Sequence, residues 1–397
     1  MSILDAPAAT ARPAWLALDK LGVLIALIAA AGAALPFTLF RANRIVPGEP
    51  VALLDALPPT PTILLVGILL IGFAIALLRF PVAAKLAAGF IALAGLFVGV
   101  GWSASHLTPE GDTFARVSPG AGFWLLSFAF ALLVTDALAR LRFAPLIRIA
   151  ILVVVAIAMV GLLWSGAWND LSILREYATR APAFWAEGRT HIALAFGSVA
   201  IATVAGIPLG ILCYKVASLR AGVLNVLNII QTIPSIALFG LLIAPLAWIA
   251  ANVPGASAAG ISGIGTAPAM VALFAYSLLP IVSNTVVGLL SVSPAAVDAA
   301  KGMGMTGSQR LFTVELPLAF PVILTGIRIV LVQNIGLATI AALIGGGGFG
   351  VFVFQGIGQT AMDLVLLGAV PTVALAFAAA VVLDAVVEMV SRGGRTA

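Results

Sequence analysis

Long, unbroken apolar runs constrain this chain more than any other feature of its sequence. Of its 397 residues, 62% are hydrophobic and only 9% are charged. Several runs reach about 20 residues, the length that spans the hydrocarbon core of a bilayer. Inside lipid the backbone must satisfy its own hydrogen bonds, which leaves helices or a closed barrel. Because the runs are continuous rather than alternating, we predict an all-α polytopic membrane protein.

About ten apolar segments follow one another along the chain. They lie near residues 21–40, 62–80, 82–101, 121–140, 147–168, 192–214, 221–250, 268–290, 318–344 and 364–391. The first segment could instead be a signal peptide, because Arg12 and Lys20 precede it. Its apolar run is longer than that of most signal peptides, so we favour a retained span and predict about ten transmembrane helices.

The distribution of lysine and arginine predicts the orientation of the chain. These residues accumulate in the cytoplasmic loops of membrane proteins. If the N-terminus is cytoplasmic, most of the 20 Lys and Arg residues fall in cytoplasmic segments, and the external loops after residue 191 carry none. Both termini, including Arg12 and Arg395, are therefore predicted to be cytoplasmic, as is the segment 298–317.

The sequence predicts two domains that meet near residue 190. Residues 169–191 are the longest polar external segment, and their amphipathic pattern indicates a helix on the membrane surface. The five spans before this segment carry few polar residues, whereas the five after it carry nearly all of them. We predict an N-terminal membrane extension over residues 1–190 and a five-span core over residues 191–397.

Several functions are excluded because the residues they need are missing from the sequence. The only cysteine is Cys213, and the only histidines, His106 and His191, are far apart. No internal disulfide and no zinc-ligand spacing is therefore available. The basic residues form no long run, which argues against nucleic-acid binding. None of the four lysines precedes serine or threonine, so the chain lacks the P-loop needed to hydrolyse ATP.

The stretch DAAKGMGMTGSQRLFTVELP, residues 298–317, interrupts the membrane pattern with polar and glycine residues. Pro294 can start a first helix, Ser308 can cap a second, and Pro317 can end it. Met303 and Leu311 would then offer apolar side chains to a cytoplasmic partner. An amphipathic linker on the lipid headgroups explains the spacing equally well.

This stretch resembles the coupling-loop signature of ABC importer permeases, which is E-A-A, three residues, Gly, nine residues, then I-x-L-P. The matching residues are Asp298, Ala299, Ala300, Gly304, Val314, Glu315, Leu316 and Pro317. Asp replaces Glu and Val replaces Ile, while every spacing is kept. The resemblance implies that ATPase coupling rests on Asp298, Ala299, Ala300, Gly304, Leu311, Glu315, Leu316 and Pro317.

The stretches on both sides of this signature resemble one particular group of ABC importer permeases. Residues 228–246, 316–350 and 363–390 resemble permeases of importers for osmoprotectants such as glycine betaine, choline or carnitine. The extension, with residues 118–141, resembles the long-chain branch of that family. The resemblance implies a type I ABC importer permease core in the bacterial inner membrane. It also implies two cytoplasmic ATPases, a second permease subunit, identical or homologous, and a periplasmic solute-binding protein. ATP and Mg would be used by the ATPase, with no cofactor on this chain.

Polar residues inside the core spans are candidates for the solute path. Some of them step by 3, 4 and 3 residues, which predicts one helix face: Asn225, Asn228, Thr232 and Ser235. Asn284 and Asn334 are further candidates. Hydrogen bonding between helices, which commonly holds membrane bundles together, explains these residues without a path.

Charged residues within or near spans need partners. Arg328 lies inside a span, where a charge rarely faces lipid, and we predict that it pairs with Asp298, Glu315 or ATPase-facing elements. Asp384 and Glu388, near the end of the last span, fit a wet helix end better than a coupled-proton site. The glycine run after residue 344 fits a tight external turn.

Together these features predict a membrane-spanning permease subunit, not itself an enzyme, that translocates an osmoprotectant such as glycine betaine. A separate ATPase would couple ATP hydrolysis to alternating access. The alternative is an ion-gradient-driven secondary transporter of small zwitterionic solutes. Such a carrier usually places paired acids or broken helices at mid-membrane. It would also leave the coupling signature unexplained.

Overall fold

The computed structural model describes residues 18–44 and 46–393 and confirms a polytopic helical membrane fold. Within that part of the chain, 9 helices are long and apolar enough to cross a membrane. The first apolar helix, Lys20–Ala34, is shorter, at 15 residues. Arg12 and Arg395, which are predicted to be cytoplasmic, lie outside the described residues.

The chain forms two compact units. The first unit contains residues up to Ala144 together with Val155–Arg175, and the second contains Pro145–Val154 together with residues from Glu176 onward. The predicted division into residues 1–190 and 191–397 stays a prediction.

Four helices and a small sheet build the first unit. The helices are α1 (Lys20–Ala34), α2 (Pro59–Leu77), α3 (Val82–Leu107) and α4 (Ala121–Leu141). The strands are β1 (Thr38–Arg41), β2 (Glu49–Val51) and β3 (Arg116–Pro119), paired antiparallel in the order β2-β1-β3. The predicted segment 21–40 is therefore helical only up to Ala34. Pro36, which has no backbone N–H, follows, and the chain then enters the sheet.

One continuous apolar core holds the first unit together. It joins Ile25 of α1, Leu65 of α2, Leu96 of α3 and Phe130 of α4, all of them buried. The helices approach closely where residues are small. A Cβ atom on Gly22 would lie 1.9 Å from a backbone oxygen of α2, so only glycine fits there. Close packing of small residues is the usual way in which membrane helices associate.

The second unit contains most of the remaining helices, and α5 begins in it. They are α5 (Pro145–Trp164), α6 (Ser172–Lys215), α7 (Ala217–Thr232), α8 (Ser235–Leu241), α9 (Ile243–Asn252), α10 (Thr266–Leu290), α11 (Pro294–Gly302), α12 (Gly307–Arg310), α13 (Leu316–Leu337), α14 (Gly350–Gly358) and α15 (Met362–Gly393). The polar segment 169–191 is helical from Ser172 and runs directly into the next span. A kink at Arg180 (φ −127°, ψ 15°), two residues before Pro182, divides this long helix.

Two predicted spans are not single helices. The segment 221–250 is broken between α7 and α8, because Pro234 disfavours helical backbone at Ile233, which is extended with ψ 126°. The segment 318–344 ends as an α-helix at Leu337 and continues as a 3-10 turn over Ile340–Ile344.

The buried apolar residues that the structure describes in the second unit fall into 3 clusters, which partly buried residues such as Ile207 and Ile230 connect. The largest joins α6, α8, α10 and α13 around Leu194, Phe239, Leu273 and Ile335. A second surrounds Cys213 and Val282. The third lies where α10 meets α13, and it includes Leu311 from the predicted coupling segment.

Candidate functional site

Residues 294–317, here called the coupling loop, begin with a helix that ends in a left-handed glycine. Pro294 occupies the first turn of α11, as predicted. At its end the Gly304 N–H donates to the Lys301 carbonyl at 2.9 Å, and the Met305 N–H donates to the Ala300 carbonyl at 3.1 Å. This pair of bonds is the Schellman arrangement, which requires a left-handed residue. Gly304 supplies it, with φ +78° and open space where a Cβ would sit.

The second helix of the coupling loop begins at a different residue from the one predicted. Its cap is Thr306 rather than Ser308. The Thr306 side chain accepts from the Gln309 N–H at 3.3 Å, and the Gln309 side chain accepts from the Thr306 N–H at 2.9 Å. This reciprocal capping box stabilises the start of a helix. The sequence signal for this capping box is the pattern Thr-x-x-Gln at residues 306–309.

The prediction that Pro317 ends this second helix is wrong. After α12 the backbone forms a π-helical turn over Leu311–Glu315, in which the Leu316 N–H bonds to the Leu311 carbonyl. The chain then continues without a break into α13, with Pro317 in its first turn. A proline ring clashes with an ordinary helical turn before it. The wider π turn gives the ring room, so the loop and the span form one helix.

The coupling loop exposes two apolar side chains, Met303 (70% exposed) and Phe312 (64% exposed). Exposure of Met303 agrees with the prediction, whereas Leu311 is buried against Leu289 and Ile323 in the core. Phe312, the next residue, is exposed in its place. A partner would therefore meet Met303 and Phe312.

The charged residues of the coupling loop are paired within it. Asp298 lies 3.0 Å from Lys301, and both side chains are exposed. Glu315 is buried, and its Oε1 accepts from Arg310 Nε at 2.5 Å. Of the other residues in the signature, Ala300 is buried and Leu316 half-buried, whereas Ala299 and Pro317 are exposed.

The four polar residues predicted to share one helix face lie on two helices. Asn225, Asn228 and Thr232 are exposed along α7, whereas Ser235 begins α8 beyond the break at Pro234. The first three form a continuous polar stripe on the surface of this chain. The 3-4-3 spacing did not predict a single helix face correctly, because Pro234 separates Thr232 from Ser235 and ends the helix.

Asn334 lies in the interior of the second unit rather than on an open surface. It is fully buried on α13. Its side-chain nitrogen donates at 2.8 Å to Ser198 of α6 and at 2.8 Å to Ser277 of α10. In this conformation Asn334 therefore ties three helices together. Its two serine partners were not found from the sequence, because serine in a membrane helix carries no local signal of its partner.

Asn284 is half-buried on α10 and bonds within its own helix. Its side-chain nitrogen donates to the Pro280 carbonyl at 2.8 Å. Gly326 of α13 packs closely against it, because a Cβ there would lie 2.8 Å from the Cβ of Asn284. The structure therefore places Asn284 at a close helix contact.

Arg328 pairs with a partner that the sequence did not predict. Its guanidinium lies 2.6 Å from Asp384 of α15. Arg148 of α5 lies 2.7 Å from the same carboxylate and also bonds to Glu388. The predicted partners Asp298 and Glu315 are instead engaged by Lys301 and Arg310. Two arginines and two acids thus neutralise each other where α5, α13 and α15 meet.

The glycine run between α13 and α14 forms a tight turn, as predicted. Gly345, Gly347 and Gly348 have φ between +74° and +88°. The Gly348 N–H donates to Glu187 of α6 at 2.6 Å, which anchors the turn to that helix. Within residues 18–44 and 46–393, no three His, Cys, Asp or Glu side chains come together as a metal site requires.

Comparison with known proteins matches both halves of the chain to transport families. Residues 19–174 match the family described as "ABC transporter permease YehY, N-terminal domain". Residues 206–395 match the family described as "Binding-protein-dependent transport system inner membrane component".

Individual relatives are permeases. The osmoprotectant import permease protein OsmW of Salmonella typhimurium is 43% identical over 49% of this chain and 83% of its own length. The choline transport system permease protein OpuBB of Bacillus subtilis is 36% identical over 51% of this chain and 84% of its own length. A solved structure of the MetNI methionine ABC transporter covers 52% of this chain and 96% of its own, at 26% identity and a TM-score of 0.46.

The two family matches agree with the membrane spans and with the signature in the coupling loop. A permease of this type is a transport subunit and not an enzyme. The chain belongs to the family of inner membrane permeases of binding-protein-dependent ABC transporters, and it carries the N-terminal domain of the YehY type.

Proposed function

We propose that this permease imports an osmoprotectant of the quaternary ammonium class, such as glycine betaine, choline or carnitine. The names of its relatives support this class: osmoprotectant for one, choline for another, and glycine betaine, carnitine and choline for a third. ATP and Mg are used by a separate ATPase dimer. A periplasmic binding protein delivers the solute, and a second permease subunit completes the path.

The coupling loop is the observation that carries the ATP-driven part of this proposal. It is a pre-formed pair of short helices, fixed by the glycine at residue 304 and by the capping box at Thr306. It presents Met303 and Phe312 outward and joins α13 without a break. An exposed apolar pair on a rigid support is suited to filling a cleft in a partner protein. We assign the ATPase to this surface, with Asp298 and Lys301 at its rim.

The translocation path is proposed along the polar stripe of α7. Asn225, Asn228 and Thr232 are exposed in the single chain. A second permease subunit packed against α7 would enclose them. Ser235 begins the helix that follows, close to the end of the stripe. Asn284 and Asn334 are assigned to helix packing in this conformation, because their side chains bond within the protein.

Uptake by the reconstituted complex tests the proposed function. The chain is placed in proteoliposomes with its cognate ATPase and binding protein, and uptake of labelled glycine betaine is measured with ATP inside. We expect ATP-dependent uptake that unlabelled choline or carnitine reduces. Uptake driven by an imposed proton or sodium gradient without ATP would instead support the secondary transporter.

Replacement of Gly304 tests the coupling loop itself. Gly304→Leu places a side chain in a left-handed conformation that costs about 1–2 kcal/mol and adds bulk where the ATPase would approach. We expect normal insertion into the membrane but loss of the co-purifying ATPase and of solute-stimulated ATP hydrolysis. The measurement is the ATPase-to-permease ratio after purification.

Two control variants separate strain from contact. Gly111→Leu imposes the same left-handed strain at an open position in the first unit and should leave ATPase binding unchanged. Gly304→Asn keeps the left-handed backbone, which asparagine tolerates, but still adds a side chain. Loss in both Gly304 variants indicates close contact with the ATPase, and recovery in Gly304→Asn indicates a conformational role. If Gly304→Leu bound the ATPase as fully as the unchanged chain, the coupling loop would not be the surface that the ATPase binds.

A further inference from the structure

A cavity in the first unit has no role in the transport mechanism above. It opens where α1 and α3 begin and α2 and α4 end, and its volume is about 380 Å³. Its charged lining residues are Asp19, Lys20, Arg79, Lys85 and Arg140. Four cations therefore surround one carboxylate at a single end of the helix bundle.

The single carboxylate is already neutralised from within. Lys85 is buried, and its Nζ lies 2.7 Å from Asp19 Oδ2 and 3.3 Å from the Ala76 carbonyl. The hydrogen bond from Lys85 lowers the pKa of the Asp19 carboxyl, so Asp19 stays charged and keeps its partner. Arg140 is 2.9 Å from Asp136 and 3.8 Å from Asp19. Lys85 and Arg140 thus neutralise Asp19 and Asp136.

Lys20 and Arg79 remain as unmatched positive charges. Both are exposed at the cavity. Arg79 Nε donates to the Leu18 carbonyl at 3.2 Å, which is a neutral acceptor, and among the described residues neither cation has an acidic partner. The start of α3 adds to this field, because its cap Pro81 provides no side-chain hydrogen bond. First-turn N–H groups can donate to an anion. The helix dipoles contribute little here, because α1 and α3 begin at the cavity whereas α2 and α4 end there.

The apolar surface beside the cavity bears on the kind of anion that would bind there. Leu24 and Leu27 of α1 and Leu70 and Ile71 of α2 are exposed, within a few helical turns of the cavity. A free anion needs no such surface, whereas the acyl chains of a lipid do. Basic pockets between membrane helices commonly hold the headgroups of anionic lipids. We propose that the cavity binds the phosphate headgroup of an anionic phospholipid, with its acyl chains along α1 and α2.

Lipid binding to the purified full-length chain tests this site. Native mass spectrometry is used to titrate the chain with phosphatidylglycerol or phosphatidylethanolamine. We expect a clear preference for phosphatidylglycerol. The double variant Lys20→Gln, Arg79→Gln should weaken binding of that lipid by about 30-fold, because it removes two basic contacts near the headgroup. Both side chains are exposed, so insertion should be unaffected.

Arg142→Gln is the matched control, because Arg142 is an exposed arginine just after α4 that does not line the cavity. It should bind phosphatidylglycerol within about twofold of the unchanged chain, since charges outside the contact zone add little. Equal binding of both lipids, or equal loss in Arg142→Gln, would overturn the proposal. Displacement of the lipid by millimolar inorganic phosphate would also overturn it, because the site would then serve a free anion.

Discussion

The two units of this permease differ in how their cores are built. The first unit has one apolar core shared by its four helices, whereas the second divides its buried apolar residues into 3 clusters. The second unit also holds the buried polar contacts of Asn334, beside residues of its largest cluster, and the charged group around Asp384. A shared, close-packed core resists relative movement, because any shift opens cavities. We therefore expect the first unit to move as one body and the helices of the second unit to shift against one another.

The largest expected effect is in the first unit, at its buried ion pair. Lys85→Met keeps the volume of the side chain but leaves Asp19 without its main partner. Removal of one member of a buried pair is strongly destabilising, so we expect the free energy of unfolding to fall by about 3 kcal/mol. The measurement is denaturant titration of the purified chain in mixed micelles.

The exposed ion pair of the second unit, Lys301 with Asp298, should contribute much less to the free energy of unfolding. Lys301→Met breaks an exposed ion pair with Asp298, and such pairs contribute only about 0–1 kcal/mol. We expect no resolvable change in stability. Equal losses in Lys85→Met and Lys301→Met would show that the buried pair stabilises the protein no more than the exposed pair does.

The next effect tests whether Asn334 is a structural contact or a part of the path. Asn334→Ala removes the bonds to Ser198 and Ser277, and we expect a loss of about 1–2 kcal/mol in unfolding free energy. The KM for solute uptake should be unchanged. The control Asn284→Ala removes a bond within one helix and should cost less. A raised KM with unchanged stability would return Asn334 to the solute path.

A smaller effect is expected at the glycine turn of the second unit. Gly347→Ala places a Cβ at φ +75° and 2.8 Å from Glu187 Oε2, which costs about 1 kcal/mol or more of local strain. We expect reduced transport with the ATPase still bound. Gly336→Ala, an exposed helical position with open space, is the control and should transport normally. Unchanged transport in Gly347→Ala would leave the turn as a simple connection.

The substitution with the smallest expected effect on the protein tests on which side of the membrane the coupling loop lies. Ser308→Cys in a Cys213→Ala background puts one exposed thiol on the coupling loop. Because the loop is predicted to be cytoplasmic, an impermeant thiol reagent should label it only after the cells are opened. Transport should be close to normal. Labelling in intact cells would reverse the predicted orientation of both units.

Features set by neighbouring residues were predictable from the sequence. The spans follow from local hydropathy, because every backbone group in lipid must bond within its own helix. Pro294 at the start of α11 and the glycine turn after α13 follow from local backbone rules. The sheet was missed, since strands of 3 and 4 residues show no period that can be recognised.

Contacts between distant residues could not be predicted in the same way. Arg328 is 56 positions from Asp384, and Asn334 is 136 positions from Ser198. Nothing local to Arg328 distinguishes Asp384 from the nearer acid Glu315. The exchange of Leu311 for Phe312 on the exposed face had another cause. Leu311 and Phe312 are adjacent and both apolar, so their residue types do not show which of them packs against Leu289 and Ile323.

The unbroken helix from α12 through the π turn into α13 gives the coupling loop the geometry of a lever arm. The stretch Gly307–Leu337 contains 31 residues, or about 46 Å at the rise of an α-helix. The Arg328–Asp384 bond lies along this arm and is positioned as a fulcrum. Arg328 is 21 residues from Gly307 and 9 residues from Leu337, so a movement of the loop about this point is reduced to about 0.4 of its size at the opposite end of the span.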